Sequence, residues 1–383
     1  MHGTMKSFGQ RAAGLRLERM QASPRWDGQS FRNLHPITPG LRDPATPMPG
    51  VRELICGGER RVPKTGLPTR DPRPTWLRGP QSGLRTTWLG HSSVLIEIDG
   101  HRVLTDPVWG PRASPFAVVG PKRFQPPVVA LRDVPEVDVV VISHDHYDHL
   151  DYPTIKALAK SRVPFVTTLG VGAHLQAWGI APERITELDW WETHRVPGTG
   201  LEITAAPSQH FSGRRLGQRN DTLWASMVVR GPRHAVFFSG DTGLTPEYAD
   251  IAARLGPFDL VILEVGAFHP AWGDIHLGPD HALQALRLLG NPPLLPVHWG
   301  TFALAMHDWD QPAERLLELA PQTGAHLIMP RLGEAVEPGF AEDVKPWWRG
   351  IEGAAGGNAG VAPAELPEAA PVPARAAQAW PAD

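Results

Sequence analysis

The chain has 383 residues, with 37 Lys plus Arg against 40 Asp plus Glu and a formal net charge of −3. That near-balance argues against a protein whose main work is neutralising a phosphate backbone, so no nucleic-acid partner is expected. Hydrophobic residues at 42% suffice for a sizeable core, and 41 prolines disfavour a helical bundle.

The first thirty residues carry Lys6, Arg11, Arg16, Glu18, Arg19 and Arg25, with no apolar run long enough for a secretory signal. Residues 6–20 read as a frayed terminus, the alternative being a short basic amphipathic helix that touches a membrane surface. Residues 1–83 precede the domain, and 20–83 of them are Pro- and Arg-rich with little periodicity. They read as an extended arm wrapped over a domain, with Trp26, Phe31 and Trp76 as anchors. The single cysteine, Cys56, lies in a turn-like Ile-Cys-Gly-Gly segment. Alone it makes no intramolecular disulfide, and it rules out a thiolate-rich metal site.

From Leu84 the texture changes, and short β-branched runs alternate with helix-like stretches. The period predicts strands at residues 86–89, 93–98, 102–105, 137–142, 165–168, 201–205, 225–229, 235–239, 259–263 and 294–297. Helices are predicted at 152–161, 173–178, 246–255, 279–289 and 312–319. Three of them open with Pro, the residue favoured at the first helical position. Two strand groups mixed with surface helices predict an α/β (α+β) domain over 84–340, with sheets packed together and helices outside. After Gly350 the chain turns Ala- and Pro-rich, and residues 351–383 read as a disordered tail. The longest apolar runs are strand-length, far short of a membrane span. The expected location is cytoplasmic, with peripheral contact at the inner membrane face allowed.

The apolar run 137–142 leads directly into Ser143-His144-Asp145-His146-Tyr147-Asp148-His149-Leu150-Asp151. A buried strand ending in such a cluster presents it at the sheet's edge, where function concentrates. His144 and His146 are two apart and face the same way in extended backbone. Asp148 and His149 follow after a turn. Imidazole and carboxylate without thiolate suit Zn, and also Fe, Mn, Co or Ni. One ion does not easily take all of these groups, so the spacing points to two metals in a compact site with a hydroxide between them. Three more strand ends carry the same signature: Asp241 after Phe237-Phe238-Ser239-Gly240, His298 after Leu294-Leu295-Pro296-Val297, and His210 in Pro207-Ser208-Gln209-His210. Each alone reads as structural. Four strand C-termini that each carry His or Asp read as one site.

The order His-x-His-x-Asp-His, then His210, Asp241 and His298, resembles the metallo-β-lactamase superfamily of binuclear hydrolases. A narrower similarity lies in Thr87-Trp88-Leu89-Gly90-His91-Ser92-Ser93, Leu104-Thr105-Asp106-Pro107, Gly120-Pro121-Lys122-Arg123-Phe124 and His298-Trp299-Gly300-Thr301-Phe302. These segments resemble the N-acylphosphatidylethanolamine-hydrolysing phospholipases D, over roughly residues 84–320. The resemblance implies an αβ/βα sandwich of two mixed sheets flanked by helices, with the site at one edge. It implies His144, His146 and His210 on a first metal, Asp148, His149 and His298 on a second, and Asp241 bridging them. Asp106 would be a buried carboxylate steadying the His144 loop, His91 buried support, and His276 a neighbour of the substrate phosphate.

The activity so implied is a binuclear phosphodiesterase of phospholipase D type with two Zn(II) ions, Fe or Mn being allowed. A metal-bridging hydroxide oriented by Asp148 and Asp241 would attack phosphorus while His276 assists the leaving alcohol, giving phosphatidic acid and an N-acylethanolamine. The alternative is a hydrolase on the same site acting on a lactone, a cyclic phosphodiester or another small ester. The chain departs from the family where Phe268-His269 replaces a Tyr-Glu pair, and His269 reads as structural. The loop Phe116-Ala117-Val118-Val119-Gly120-Pro121-Lys122-Arg123-Phe124 mixes apolar with basic residues. It reads either as a mouth for an anionic, acylated substrate or as an ordinary packed loop. The expected partners are therefore a phospholipid or small ester, with peripheral membrane contact and a homodimer both allowed.

Overall fold

The computed structural model describes residues 6–37, 50, 60–215, 219–272 and 274–351. Cys56 and the tail beyond residue 351 lie outside the described residues.

The arm contributes helices α1 (Leu15–Gln21) and α2 (Arg73–Trp76). Strands β1 (Leu84–Gly90), β2 (Ser93–Ile98), β3 (His101–Thr105), β4 (Val139–Val141), β5 (Phe165–Thr168) and β6 (Ile185–Leu188) follow. They form one sheet, which β13 (Ala335–Val336) closes beside β1. The second sheet holds β7 (Thr193–Arg195), β8 (Glu202–Ala206), β9 (Ser226–Arg230), β10 (Ala235–Phe238), β11 (Leu260–Glu264) and β12 (Leu294–Val297), in reverse spatial order.

Each sheet is antiparallel in one half and parallel in the other. Parallel neighbours need a crossover, and the chain supplies helices there. These are α3 (Tyr152–Leu158), α4 (Val171–Ala177), α5 (Glu247–Leu255) and α6 (Gly278–Leu288). A last helix, α7 (Gln311–Thr323), packs on α6. The expected two-sheet sandwich of metallo-β-lactamase type is the observed fold.

Side-chain alternation explains the layering. Ile96, Ile98, Val139 and Val141 of the first sheet enter the central core with Ile203, Met227, Val229, Phe237 and Val261 of the second. The alternate residues Leu95, Val140, Ile142 and Phe165 point the other way, into a second core with Leu175 and Trp178 from the helical face. Each such side chain, fully buried, stabilises by roughly 1.5–3 kcal/mol.

The strands not predicted are β6, β7 and β13. All three are sheet edges, short or polar, and β7 is mostly exposed, so they leave little apolar signal. The stretch expected to fray is instead docked. Met20 of α1 is buried, Arg16 and Arg19 pair with Glu187 and Glu192, and Trp178 Nε1 donates to Lys6 O at 2.7 Å. Phe31 and Trp76 are buried anchors, with Trp26 edge-on to Phe31. Among the described residues no helix is long and apolar enough to cross a membrane.

Candidate metal centre

The site lies where the C-terminal ends of strands from both sheets meet. On the first sheet, Asp106 follows β3 and β4 runs out into residues 142–149. Asp106 takes Ser143 N–H at 2.8 Å and the Ser143 hydroxyl at 2.6 Å, and lies 2.7 Å from His149 Nδ1. The Ser143 hydroxyl has given its one proton to Asp106, so at 2.9 Å it accepts from His144 Nδ1–H. Both histidines therefore turn Nε2 toward the centre, the usual way an outer carboxylate aims a ligand. His146 is brought alongside by extended backbone, and its carbonyl then accepts Leu150 N–H at 2.8 Å to start the turn.

On the second sheet, Gly240 has φ +56° and lets the Asp241 loop approach the first sheet. A Cβ there would lie 2.6 Å from Ser143 Cβ. His210 follows β8, and its Nδ1–H donates to Ile275 O at 2.8 Å, again aiming Nε2 inward. His298 follows β12 with φ +69°, and His91 follows β1 with φ +51°. Such left-handed conformations at non-glycine residues cost on the order of 1–3 kcal/mol each and gather at functional sites. The pair is held by His298 N–H donating to His91 O at 3.0 Å, with ring centroids 4.0 Å apart.

Two nests of ligand atoms result. In the first, His146 Nδ1 lies 2.9 Å from His144 Nε2 and 3.2 Å from His210 Nε2, and Asp241 Oδ2 lies 3.8 Å from both Nε2 atoms. In the second, Asp241 Oδ1 lies 3.1 Å from His149 Nε2 and 3.2 Å from His298 Nε2, with Asp148 Oδ2 at 3.5 and 3.3 Å from the same nitrogens. A tetrahedral ion with bonds of about 2.0–2.1 Å needs ligand atoms roughly 3.3 Å apart, so both nests fit a transition-metal ion. His149 Nε2, His298 Nε2 and Asp241 Oδ1 are buried without a well-aligned hydrogen bond. Polar atoms orphaned together in this way are what a bound cation would satisfy.

The electrostatics of the nests differ. Burial holds His144 and His210 well below the ordinary imidazole range, neighbouring imidazoles adding to the effect, and burial also lowers His146. Burial opposes charge on His149 and His298 too, but Asp241 and Asp148 outweigh it. His149 rises well above its ordinary range and His298 is pushed up to about 10. Burial would likewise raise the Asp148 and Asp241 carboxyls, yet His149 and its neighbours hold both well below the carboxylate range.

All seven residues expected as ligands, His144, His146, Asp148, His149, His210, Asp241 and His298, converge on this centre. His276, expected near substrate, borders it: its Nδ1 is 4.0 Å from Asp241 Oδ2 and 3.3 Å from Glu264 Oε1. His91 reads differently from the expectation of plain support. Its Nε2 is 2.9 Å from Asp148 Oδ2, and burial, then His298, lower its pKa to about 3, so the neutral ring donates Nε2–H to Asp148. Glu264 was missed altogether. Its fully buried carboxylate accepts Leu277 N–H at 2.6 Å beside His276. A lone acid closing the apolar strand β11 is the same signature that singled out Asp241. His269 caps a local turn, its Nδ1 accepting Ala271 N–H, and Phe268 stacks on His307 with centroids 4.7 Å apart.

Comparison with known proteins agrees with this geometry. A family model described as a β-lactamase superfamily domain matches residues 101–299. The chain is 45% identical over 353 residues to an uncharacterized protein of Mycobacterium bovis, covering 91% of this chain and 93% of that one. It is 37% identical over 250 residues to a Caenorhabditis elegans protein named N-acyl-phosphatidylethanolamine-hydrolyzing phospholipase D 1, covering 62% of this chain and 70% of that one. Among solved structures, an isothiocyanate hydrolase from Delia radicum gut bacteria gives a TM-score of 0.54 at 20% identity, over 66% of this chain and 98% of that one. That last likeness is one of fold.

Proposed function

The chain belongs to the metallo-β-lactamase superfamily and is a metal-dependent hydrolase, and on that premise we propose that it is a binuclear phosphodiesterase of phospholipase D type. Its substrate in this reading is N-acylphosphatidylethanolamine, and its products are phosphatidic acid and an N-acylethanolamine. The observation that carries the reading is the Asp241 carboxylate, whose two oxygens face different nests of imidazoles. The nitrogen and oxygen donors suit Zn(II), with Fe or Mn as other occupants. Two such ions would supply a water of lowered pKa and positive charge for the phosphoryl oxygens.

The protein's own groups do the rest. His144, His146 and His210 would hold one ion, and Asp148, His149 and His298 the other, with Asp241 shared. His91 fixes Asp148 by its Nε2–H, so that the Asp148 and Asp241 carboxylates can accept hydrogen bonds from the attacking water. The hydroxyl of that water joins phosphorus, its other proton passing to the Asp148 carboxylate, as the bond from phosphorus to the ethanolamine oxygen breaks. His276, bordering the centre, gives its proton to that departing oxygen.

The acylated lipid is supported by the name of the Caenorhabditis elegans relative and by an exposed apolar and basic surface on the loop 116–122. Phe116, Val118 and Val119 are exposed next to the exposed Lys122, and Phe8 of the arm meets Phe116 edge-on at 5.9 Å. An apolar rim with basic flanks suits peripheral contact with a phospholipid surface.

The test is release of phosphatidic acid from N-acylphosphatidylethanolamine in mixed micelles by metal-loaded protein and by Asp148→Asn. Release by the wild type alone is expected. If neither releases it while the wild type holds two ions, the lipid is the wrong substrate. Lactones, cyclic phosphodiesters and small esters are then assayed on the same preparation.

A further inference from the structure

The N-terminal arm pairs with the main chain of the loop that carries His210, and it reaches the loop that carries His144 and His146 through Arg214. After β8 ends at Ala206, residues 207–212 have no sheet partner, yet His210 sits among them. Asn33 supplies what the sheet does not. Its Nδ2 donates to His210 O at 2.8 Å and its Oδ1 accepts His210 N–H at 3.1 Å, so one side-chain amide pairs with both polar groups of the ligand's main chain. The same Oδ1 accepts the indole N–H of the fully buried Trp224 at 3.0 Å, which fixes which end of the amide is oxygen.

A second pin lies at the other loop. The buried Arg214 donates twice to Ser7 O, at 3.2 and 2.9 Å, and with its remaining nitrogen to Asp145 O and Leu150 O. Those two carbonyls bracket the segment that carries His146, Asp148 and His149. The arm segments making these contacts are 177 and 207 residues away in sequence from their partners.

We propose that the arm is a working part of the metal centre, with Asn33 the positioning residue that sets His210. This rests on the reading of His210 as a metal ligand. Partners that orient a ligand are typically worth roughly 10–100-fold in metal affinity. Asn33→Asp keeps the size and the acceptor for Trp224 and His210 N–H, and replaces the donor to His210 O with a charged oxygen that repels it. Asn33→Ala loses both halves of the pair. Arg19→Ala loosens the arm at its Glu192 ion pair without touching His210, and serves as the control.

Zinc retained per chain is measured during dialysis against a graded chelator series, and the visible spectrum of the cobalt-loaded protein reports loss of an imidazole. The expected result is that both Asn33 variants lose one of two ions at a chelator level roughly tenfold or more below that of the wild type, with the cobalt band altered. Arg19→Ala should follow the wild type. Wild-type retention and spectrum in Asn33→Asp and Asn33→Ala would overturn the proposal. Equal loss in Arg19→Ala would also overturn it, reducing the arm to general stabilisation. No substrate enters the measurement, so failure of the lipid assay leaves this result standing, and the reverse holds too.

Discussion

The two nests of the metal centre share Asp241 but keep their histidines in opposite states. Around His144, His146 and His210 the nearest contacts are other imidazoles, and Asp241 Oδ2 stands back at 3.8 Å. Burial prevails there and the rings are neutral, with lone pairs already facing inward. Around His149 and His298 the carboxylates close to 3.1–3.5 Å and charge prevails over burial, so protons stand where a cation would. The lesson is that one set of residue types makes two kinds of site, according to how near the carboxylates lie. A cation would enter the first nest against no proton, and the second only by displacing protons.

Asp241→Asn tests the shared element and should have the largest effect. It removes one charge from both nests, so both ions should leave during dialysis and turnover should fall by about 10³-fold or more. Metal analysis beside an activity assay reads both at once. A variant that keeps two ions and wild-type turnover would end the ligand assignment.

His276 stands between the nests, with its ring 5.1 Å from His210 and 5.6 Å from His298. If it serves the leaving group alone, His276→Gln keeps both ions while turnover drops by about 10²-fold. A substrate whose alcohol needs no proton, such as a nitrophenyl phosphodiester, should recover most of the rate. Loss of an ion instead would assign His276 to the metal-holding set with Asp241 and His298, whose ligand atoms lie within the same 4.8 Å.

Proton release separates the nests directly. His298, raised to about 10, is protonated at neutral pH, and each proton a cation must displace weakens binding about tenfold per unit fall in pH. His144 and His210 lie below their ordinary range, so near pH 7–8 they hold no proton to displace. Calorimetric titration with zinc in two buffers of different ionisation enthalpy should show more protons released on filling one site than the other. Equal release at the two sites would remove the contrast.

The ligands of both nests were legible in sequence, and the groups that aim them were not. His144, His146, Asp148 and His149 follow an apolar β-branched run, and Asp241 and His298 end two more, so period and polarity alone point to them. His91 also follows a strand, but its aim at Asp148 depends on a positive φ, on an irregular register between Trp88 and Gly90, and on Thr301 Oγ1 accepting its N–H at 2.8 Å. No local pattern encodes those conditions. Asn33 lies in a Pro-rich stretch without periodicity, and its role exists only through a contact formed across the folded molecule. The sandwich was legible for the same reason as the ligands, since its central strands are apolar runs. The edge strands β7 and β13 escaped because they bury little.

A neutral histidine that is not itself among the expected ligands provides the smallest test of the contrast. His307 is bounded by two main-chain groups: Ala267 N–H donates to its Nε2 at 3.0 Å, and its Nδ1 lies 2.7 Å from Asp308 O. A carbonyl only accepts, so Nδ1 carries the ring's one proton and Nε2 cannot take a second without expelling Ala267 N–H. Burial drives its pKa down to about 4, outweighing the Asp308 carbonyl. The sign follows from linkage: below about 6.5 the unfolded chain binds a proton that the folded chain refuses. Stability is therefore complete above about pH 6.5 and is lost as pH falls toward 4. Full burial would make the loss about 3 kcal/mol, and because the ring is only part-buried, solvent screening trims it to about 2 kcal/mol. Urea unfolding of metal-stripped protein at pH 7 and pH 4.5, beside His307→Gln, isolates this contribution. The wild type should lose more stability between the two pH values than the variant. Parallel losses would mean that burial does not keep this ring neutral, and would weaken the same explanation for His144 and His210.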